Sequence, residues 1–347
     1  MKHLAHTDAR VAAVLAGLPD IPWPSADASH PADLLMRCPA AAPTPLVQSR
    51  ALARIAGVSE VHVKDERGRM GLGSFKALGA AYVIACDAAN GLAAGRTYVT
   101  ASAGNHGLSV AAGAQAFGAK SVVYLADTVP EAFADRLRSH GAEVCRQGAV
   151  YEDSMAEAAR VAQTNGWALL SDSSWPGYVD VPHRLMEGYT VLMQEAVAAM
   201  PAPTHIFLQA GVGGLAAACA AYARKAWGGA PRIVVVEPDA APALFASVAA
   251  GAAQVTEGPR SDMGRLDCKE PSLIALKGLA RDASDYVLIS EEDGAYGASA
   301  AAQAGFPTTP SGAAGLSGLL ACAANGADVG LNAAARVLVI LSEEASE

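Results

Sequence analysis

Short β-rich runs, some of them apolar almost throughout, recur along the chain, separated by longer stretches with apolar positions at helical spacing. The runs fall at residues 61–64, 97–100, 121–125, 143–146, 205–209, 233–237 and 336–341, and each is predicted to be a strand. Helices are predicted at 75–90, 108–117, 151–165, 187–200 and 215–226. Strands that are apolar throughout, rather than on alternate residues, are covered on both faces, and strands alternating with helices imply a parallel sheet. Residues 11–18 predict an amphipathic first helix: Asp8 precedes them, Pro19-Asp20 ends them, and no cleavage pattern of a secretion signal follows. Residues 21–45, rich in proline and without period, read as an extended arm over the surface.

Composition narrows the function classes. A chain of 347 residues with 52% hydrophobic content can bury one large core or two smaller ones. Aromatics make up only 5%, so packing must rely on alanine-rich helix faces. A formal charge of −9 without a basic cluster argues against a nucleic-acid partner. No apolar run approaches the ~20 residues of a membrane span. The six cysteines, Cys38, Cys86, Cys145, Cys219, Cys268 and Cys322, stand singly. That spacing suits no zinc site, and a chain of this size needs no disulfides, so free thiols in a reducing cytoplasm are expected.

Candidate chemistry lies where predicted strands give way to helices. Ala210-Gly211-Val212-Gly213-Gly214-Leu215 follows one strand and opens a helix. Its glycines let the backbone approach an anion, and a helix N-terminus offers free N–H groups and partial positive charge. The spacing is not that of a dinucleotide fingerprint, which weakens a dehydrogenase reading. Lys76, in Gly73-Ser74-Phe75-Lys76-Ala77-Leu78-Gly79, stands among apolar residues, where desolvation makes an amine more nucleophilic. Ser102-Ala103-Gly104-Asn105-His106-Gly107 ends another strand. Its successive N–H groups suit a carboxylate, Asn105 can reach a ring oxygen, and His106 supports the turn. Ser342 ends the last strand, where a hydroxyl can bond a pyridine nitrogen without protonating it. Each fragment alone also has an ordinary reading: a structural glycine turn, a solvated lysine, Ser102 as a helix cap. Together and in this order they supply an amine for an aldehyde, a polar cradle, a phosphate cup and a partner for a ring nitrogen, the needs of a pyridoxal phosphate enzyme.

On these motifs the sequence resembles the fold-type II pyridoxal phosphate enzymes over residues 45–344, a group that includes tryptophan synthase β, threonine dehydratase and cysteine synthase. Within it the sequence is most similar to the diaminopropionate ammonia-lyases, on residues 71–79, Ser171-Asp172-Ser173-Ser174-Trp175-Pro176-Gly177-Tyr178, and Met263-Gly264-Arg265-Leu266-Asp267-Cys268-Lys269-Glu270-Pro271-Ser272. The resemblance implies an α/β fold of two open, twisted, mostly parallel sheets flanked by helices, with pyridoxal 5'-phosphate in the cleft between domains. Residues 1–95 and 176–347 would form the larger, cofactor-binding domain and 96–175 the smaller, substrate-binding one. Lys76 would be the Schiff-base lysine, Gly211, Val212, Gly213, Gly214 and Leu215 the phosphate cup, Asn105 the neighbour of the ring hydroxyl and Ser342 that of the ring nitrogen. Ser102, Ala103, Gly104 and His106 would bind substrate.

Asp172 matches the residue credited in the family with removing the α-proton of the L-isomer; its ordinary reading is a helix cap ahead of Trp175-Pro176. The family's aspartate for the D-isomer is replaced here by Ala103, and Glu344 stands where a glycine is usual. The resemblance therefore implies α,β-elimination of ammonia from 2,3-diaminopropionate, the L-isomer in particular, giving pyruvate and ammonia. Two alternatives remain: a serine/threonine-type dehydratase, favoured by Ala103, and a non-catalytic homologue that binds the cofactor. The partner is a small amino acid, no metal is required, and a homodimer is expected as the commonest closed assembly.

Overall fold

The computed structural model describes residues 1–149 and 151–345, with Tyr151 and Glu152 described by their backbone alone. Eleven strands are present among these residues: β1 (Lys2–Ala5), β2 (Leu46–Gln48), β3 (Glu60–Asp65), β4 (Thr97–Ala101), β5 (Lys120–Leu125), β6 (Glu143–Arg146), β7 (Ala168–Leu169), β8 (His205–Gln209), β9 (Arg232–Pro238), β10 (Asp285–Ile289) and β11 (Arg336–Leu341). They form a seven-stranded sheet, β1-β10-β9-β8-β11-β3-β2, and a four-stranded sheet, β6-β5-β4-β7. The small sheet is parallel throughout. The large one is parallel except for its edge strands, β1 against β10 and β2 against β3.

The continuous apolar runs explain how the large sheet is covered. Ile206, Leu208, Val235, Leu338 and Ile340 belong to one core and Phe207, Val234, Val236, Val337 and Val339 to the other, so successive residues of one strand serve opposite faces. The helices Gly214–Trp227 and Leu273–Asp282 cover the first face, and the helix Ala314–Asn325 covers the second. Alanines 216, 217, 218, 220 and 223 are buried in the first core, where small side chains allow close packing in a chain poor in aromatics. Each fully buried Val, Ile or Leu contributes about 1.5–3 kcal/mol by removal from water.

Several expectations need correction. Residues 21–45 are not wholly extended: Ser29–Leu35 is a helix, burying Pro31, Leu34 and Leu35. Pro31 sits in its first turn, where a missing N–H costs nothing. The helix expected at 187–200 begins at Asp180, again with a proline, Pro182, in its first turn. Pattern reading missed β1, β2 and β7, which are four residues or fewer, and β10, whose run Asp-Tyr-Val-Leu-Ile is as apolar as its neighbours. All six cysteines are free, and among the described residues no helix is long and apolar enough to cross a membrane.

Candidate active site

Strands β3 and β11 run in register from Glu60–Arg336 to Asp65–Leu341, so the chain after each leaves the sheet at the same edge. That pairing sets Ser342 beside the lysine loop: Phe75 N–H donates to Ser342 O at 3.1 Å, and Glu344 N–H donates to Gly73 O at 2.9 Å. Lys76 is the first residue of the helix Lys76–Ala89, packed against the helix Asp180–Ala199. Their packing brings Phe75 and Tyr189 edge to face at 4.9 Å, with Lys76 Nζ 5.2 Å and 5.8 Å from the two ring centroids.

Lys76 Nζ donates to Asp172 Oδ2 at 2.5 Å. Asp172 therefore caps no helix. Both side chains are about one-fifth exposed, 21% and 19%. Burial works against the charge on Lys76, but Asp172, with Tyr189 next, outweighs it and holds the amine above the ordinary lysine value. Burial likewise opposes the Asp172 carboxylate, yet Lys76, by its charge and its hydrogen bond, holds it well below the usual range. His106 is buried, and its Nε2 donates to Leu170 O at 2.8 Å, leaving Nδ1 buried without a partner. Burial pushes this imidazole below its usual value, which keeps it neutral. Tyr189 Oη is a second buried atom without a partner, and burial raises its pKa.

The loop after β8 closes the site from the large sheet. Gly213 has φ +96, a left-handed conformation that disfavours any side chain. A Cβ on Gly211 would lie 3.0 Å from Cys268 Sγ and 3.1 Å from Leu266 Cα, so a larger residue would press on the 263–268 segment there. A Cβ on Gly214 would lie 3.7 Å from the Tyr189 ring and 4.0 Å from Asp172 O, which places this loop beside the lysine. The N–H groups of Gly211, Gly213, Gly214 and Leu215 find no acceptor among the described residues. Four free donors at the start of the helix Gly214–Trp227, next to a half-buried amine, fit a phosphorylated aldehyde.

The turn after β4 forms the opposite wall. Asn105 is the first residue of the helix Asn105–Ala116 rather than part of a preceding loop. Gly104 is its cap, and Ser102 Oγ accepts from Gly104 N–H at 3.2 Å instead of capping the helix. Ala103 packs against the small apolar cluster beneath this turn, and its carbonyl accepts from Arg265 Nη1 at 2.8 Å. Asn105 Nδ2 donates to Glu343 Oε2 at 2.5 Å. The structure thus assembles Lys76, Asp172, His106 and the 211–215 loop around one point, with Ser342, Asn105 and the 102–104 turn at its margin.

The sequence matches the pyridoxal-phosphate dependent enzyme family over residues 38–343. The chain belongs to this family. Its cofactor is pyridoxal 5'-phosphate, in keeping with the four free N–H groups beside Lys76. It is similar to the diaminopropionate ammonia-lyase of Salmonella typhimurium, 37% identical over 268 residues that cover 69% of this chain and 66% of that protein. The diaminopropionate ammonia-lyase of Escherichia coli strain K12 is 32% identical over 279 residues, covering 74% of this chain and 70% of that one. The matched segment thus spans just under two thirds of the Salmonella relative's own length. The fold matches a crystal structure of the Escherichia coli diaminopropionate ammonia lyase in complex with an aminoacrylate-PLP azomethine reaction intermediate, with TM-score 0.87 and 28% identity, over 99% of this chain and 93% of that one. The architecture is accordingly that of the fold-type II pyridoxal phosphate enzymes.

Four residues at this site were not anticipated: Tyr189, Arg265, Cys268 and Glu343. Arg265 and Cys268 lie inside a segment singled out for its resemblance, and Glu343 adjoins Ser342, so a signal existed. Tyr189 sits mid-helix with nothing in the sequence to mark it. Burial pushes the Cys268 thiol up to about 12, with Asp172 adding to the shift, so it stays protonated beside the amine.

Proposed function

We propose that this enzyme is a carbon–nitrogen lyase that eliminates ammonia from L-2,3-diaminopropionate, giving pyruvate and a second ammonia. The ion pair between Lys76 and Asp172 carries this reading: a carboxylate 2.5 Å from the amine is a base placed next to the group that would hold the cofactor and give way to the substrate amine. In the proposed arrangement Lys76 carries the cofactor's aldehyde carbon, the 211–215 N–H groups take its phosphate, Asn105 its ring hydroxyl and Ser342 its ring nitrogen. When bound, pyridoxal phosphate supplies an electron sink for negative charge developing at the substrate's Cα.

The chain's own groups then divide the proton transfers. The 102–106 turn directs N–H groups at the substrate carboxylate and fixes which face of Cα is presented. Asp172, already ionised, takes the α-proton at Oδ2 once the substrate amine has replaced Lys76. Lys76 Nζ, favoured as the ammonium by Asp172, can hand a proton to the leaving β-nitrogen. Neutral His106, bonded to Leu170 O two residues before Asp172, steadies the segment that carries the base. Ala103, where the family's aspartate for the D-isomer would stand, has no group that can take a proton from the opposite face, which supports the L-isomer. We also propose that residues 96–175, which contain the four-stranded sheet, form the substrate-binding domain.

The second reading, dehydration of a β-hydroxy amino acid, is favoured by the same alanine, which cannot hold a β-ammonium group. Supplying L- and D-2,3-diaminopropionate, L-serine and L-threonine to the holoenzyme, with Lys76→Ala as blank, separates the two. Pyruvate from the L-diamino acid alone supports the lyase; turnover of the hydroxy amino acids alone supports the dehydratase.

A further inference from the structure

We infer that Glu343 is a positioning residue that fixes the carboxamide of Asn105, so that one of its N–H groups is aimed at the cofactor's ring hydroxyl oxygen. The inference rests on the reading of Asn105 as that oxygen's neighbour. Glu343 is 5% exposed, and nothing in the elimination itself calls for a buried carboxylate at this place. Its two oxygens are separately engaged. Oε2 accepts from Asn105 Nδ2 at 2.5 Å, across the cleft and 238 residues away in sequence. Oε1 accepts from the Thr309 hydroxyl. Arg265 Nε stands 3.7 Å from Oε2 while Arg265 Nη1 holds Ala103 O, so one arginine spans the carboxylate and the turn that carries Asn105.

The backbone of Glu343 is equally constrained. It forms an antiparallel bridge with Ser74, its carbonyl accepts from the Thr308 hydroxyl, and its neighbours Ser342 and Glu344 bond to Phe75 and Gly73. The carboxylate is therefore tied to the loop that presents Lys76. Burial pushes the Glu343 carboxyl up, while Thr309, Arg265 and Asn105 favour its charged form; Oε2 is the acceptor in this contact, so the amide nitrogen of Asn105 faces it. That nitrogen has two hydrogens, and Glu343 uses one. The other stays available to the ring oxygen. Without Glu343 the amide can turn over and set its own oxygen against the ring oxygen, acceptor against acceptor.

The test is a double-mutant cycle on Glu343→Ala and Asn105→Ala, with each apoenzyme titrated with pyridoxal phosphate and the visible absorption of the bound cofactor recorded. The expected result is about tenfold weaker cofactor binding and a shifted visible band in both single variants, as a lost charge-assisted hydrogen bond implies. The double variant should be no worse than Asn105→Ala alone, because Glu343 acts through Asn105. Glu343→Met keeps the side chain's length without a carboxylate acceptor should the alanine variant fold poorly, and it should shift the band in the same direction. Additive effects would overturn the inference, as would an unchanged band and affinity in both Glu343 variants while Asn105→Ala alters them. A neutral Asn105→Ala would instead overturn the reading of Asn105 on which the inference stands.

Discussion

Replacing Asp172 with asparagine removes the proposed base while keeping the shape of the site, and the structure sets the size of two separate effects. The first is on the chemistry. A positioned general base contributes roughly 10²–10⁴ in rate, which is about 3–5 kcal/mol of barrier at 1.36 kcal/mol per decade. Turnover of the L-diamino acid should fall by that factor while the holoenzyme still forms. The second effect is on Lys76. Without Asp172 burial is the largest influence left on the amine, with Tyr189 opposing it, so its pKa should fall. The freed amine should then capture the cofactor's aldehyde faster near neutral pH than the parent does. Leaving a buried ammonium unpaired costs 3–5 kcal/mol when fully enclosed. With the pair one-fifth exposed, about 2 kcal/mol of apoenzyme stability is the expected loss. The assay couples pyruvate to a dehydrogenase at saturating cofactor, with the visible band confirming loading and stopped-flow absorbance following capture. A variant that keeps kcat within about threefold of the parent would refute Asp172 as the base.

Gly213→Ala should weaken cofactor binding at least about tenfold and cost roughly 2 kcal/mol of stability. At φ +96 its Cβ would lie 2.9 Å from Leu244 Cδ1 and 3.0 Å from Ala275 Cβ, and cofactor titration with thermal melting measures both effects. Arg69→Ala should destabilise the fold by about 3 kcal/mol in urea unfolding, because it removes the guanidinium paired with buried Glu66 and with Glu195 and leaves Lys64 as the one cation the two carboxylates share. The pair at Lys76 also dictates a pH dependence. Asp172, lowered from 3.8 in the folded state, adds stability above that value that is lost as pH falls through its folded pKa. Lys76, raised from 10.5, adds stability below that value that is lost only as pH climbs through its folded pKa. Apoenzyme melting should therefore be insensitive to this pair from about pH 5 to 9, and below about pH 4 the parent should lose stability more steeply than Asp172→Asn. Ala103→Asp should raise turnover of D-2,3-diaminopropionate above background in the pyruvate assay, since it restores a carboxylate to the turn.

Continuous apolar runs made the parallel sheets legible, because a strand covered on both faces must be apolar at every position. Three of the strands the pattern missed, β1, β2 and β7, are too short for periodicity to register. The helix at Ser29–Leu35 escaped because its proline was read as a breaker, although in the first turn a proline leaves the hydrogen-bond ladder intact. At the site, Lys76, the 211–215 loop and the 102–107 turn were readable because glycine next to a strand end is a local signal. The contact between Lys76 and Asp172 joins residues 96 apart, and that between Asn105 and Glu343 joins residues 238 apart. Such meetings are set by how the two sheets face each other, which no local pattern encodes. Tyr189 is the extreme case: a helix residue turned toward the amine only by packing against the lysine-bearing helix.

The ratio of ammonia to pyruvate released from L-2,3-diaminopropionate by the holoenzyme tests the central claim most directly. Elimination of the β-amine followed by loss of the α-amine consumes one water and yields two ammonia per pyruvate, and Lys76→Ala should yield neither product. The account predicts that ratio of two from the L-isomer. Absence of pyruvate from it, with one ammonia per 2-oxo acid from L-serine or L-threonine, would contradict the account and make the enzyme a dehydratase.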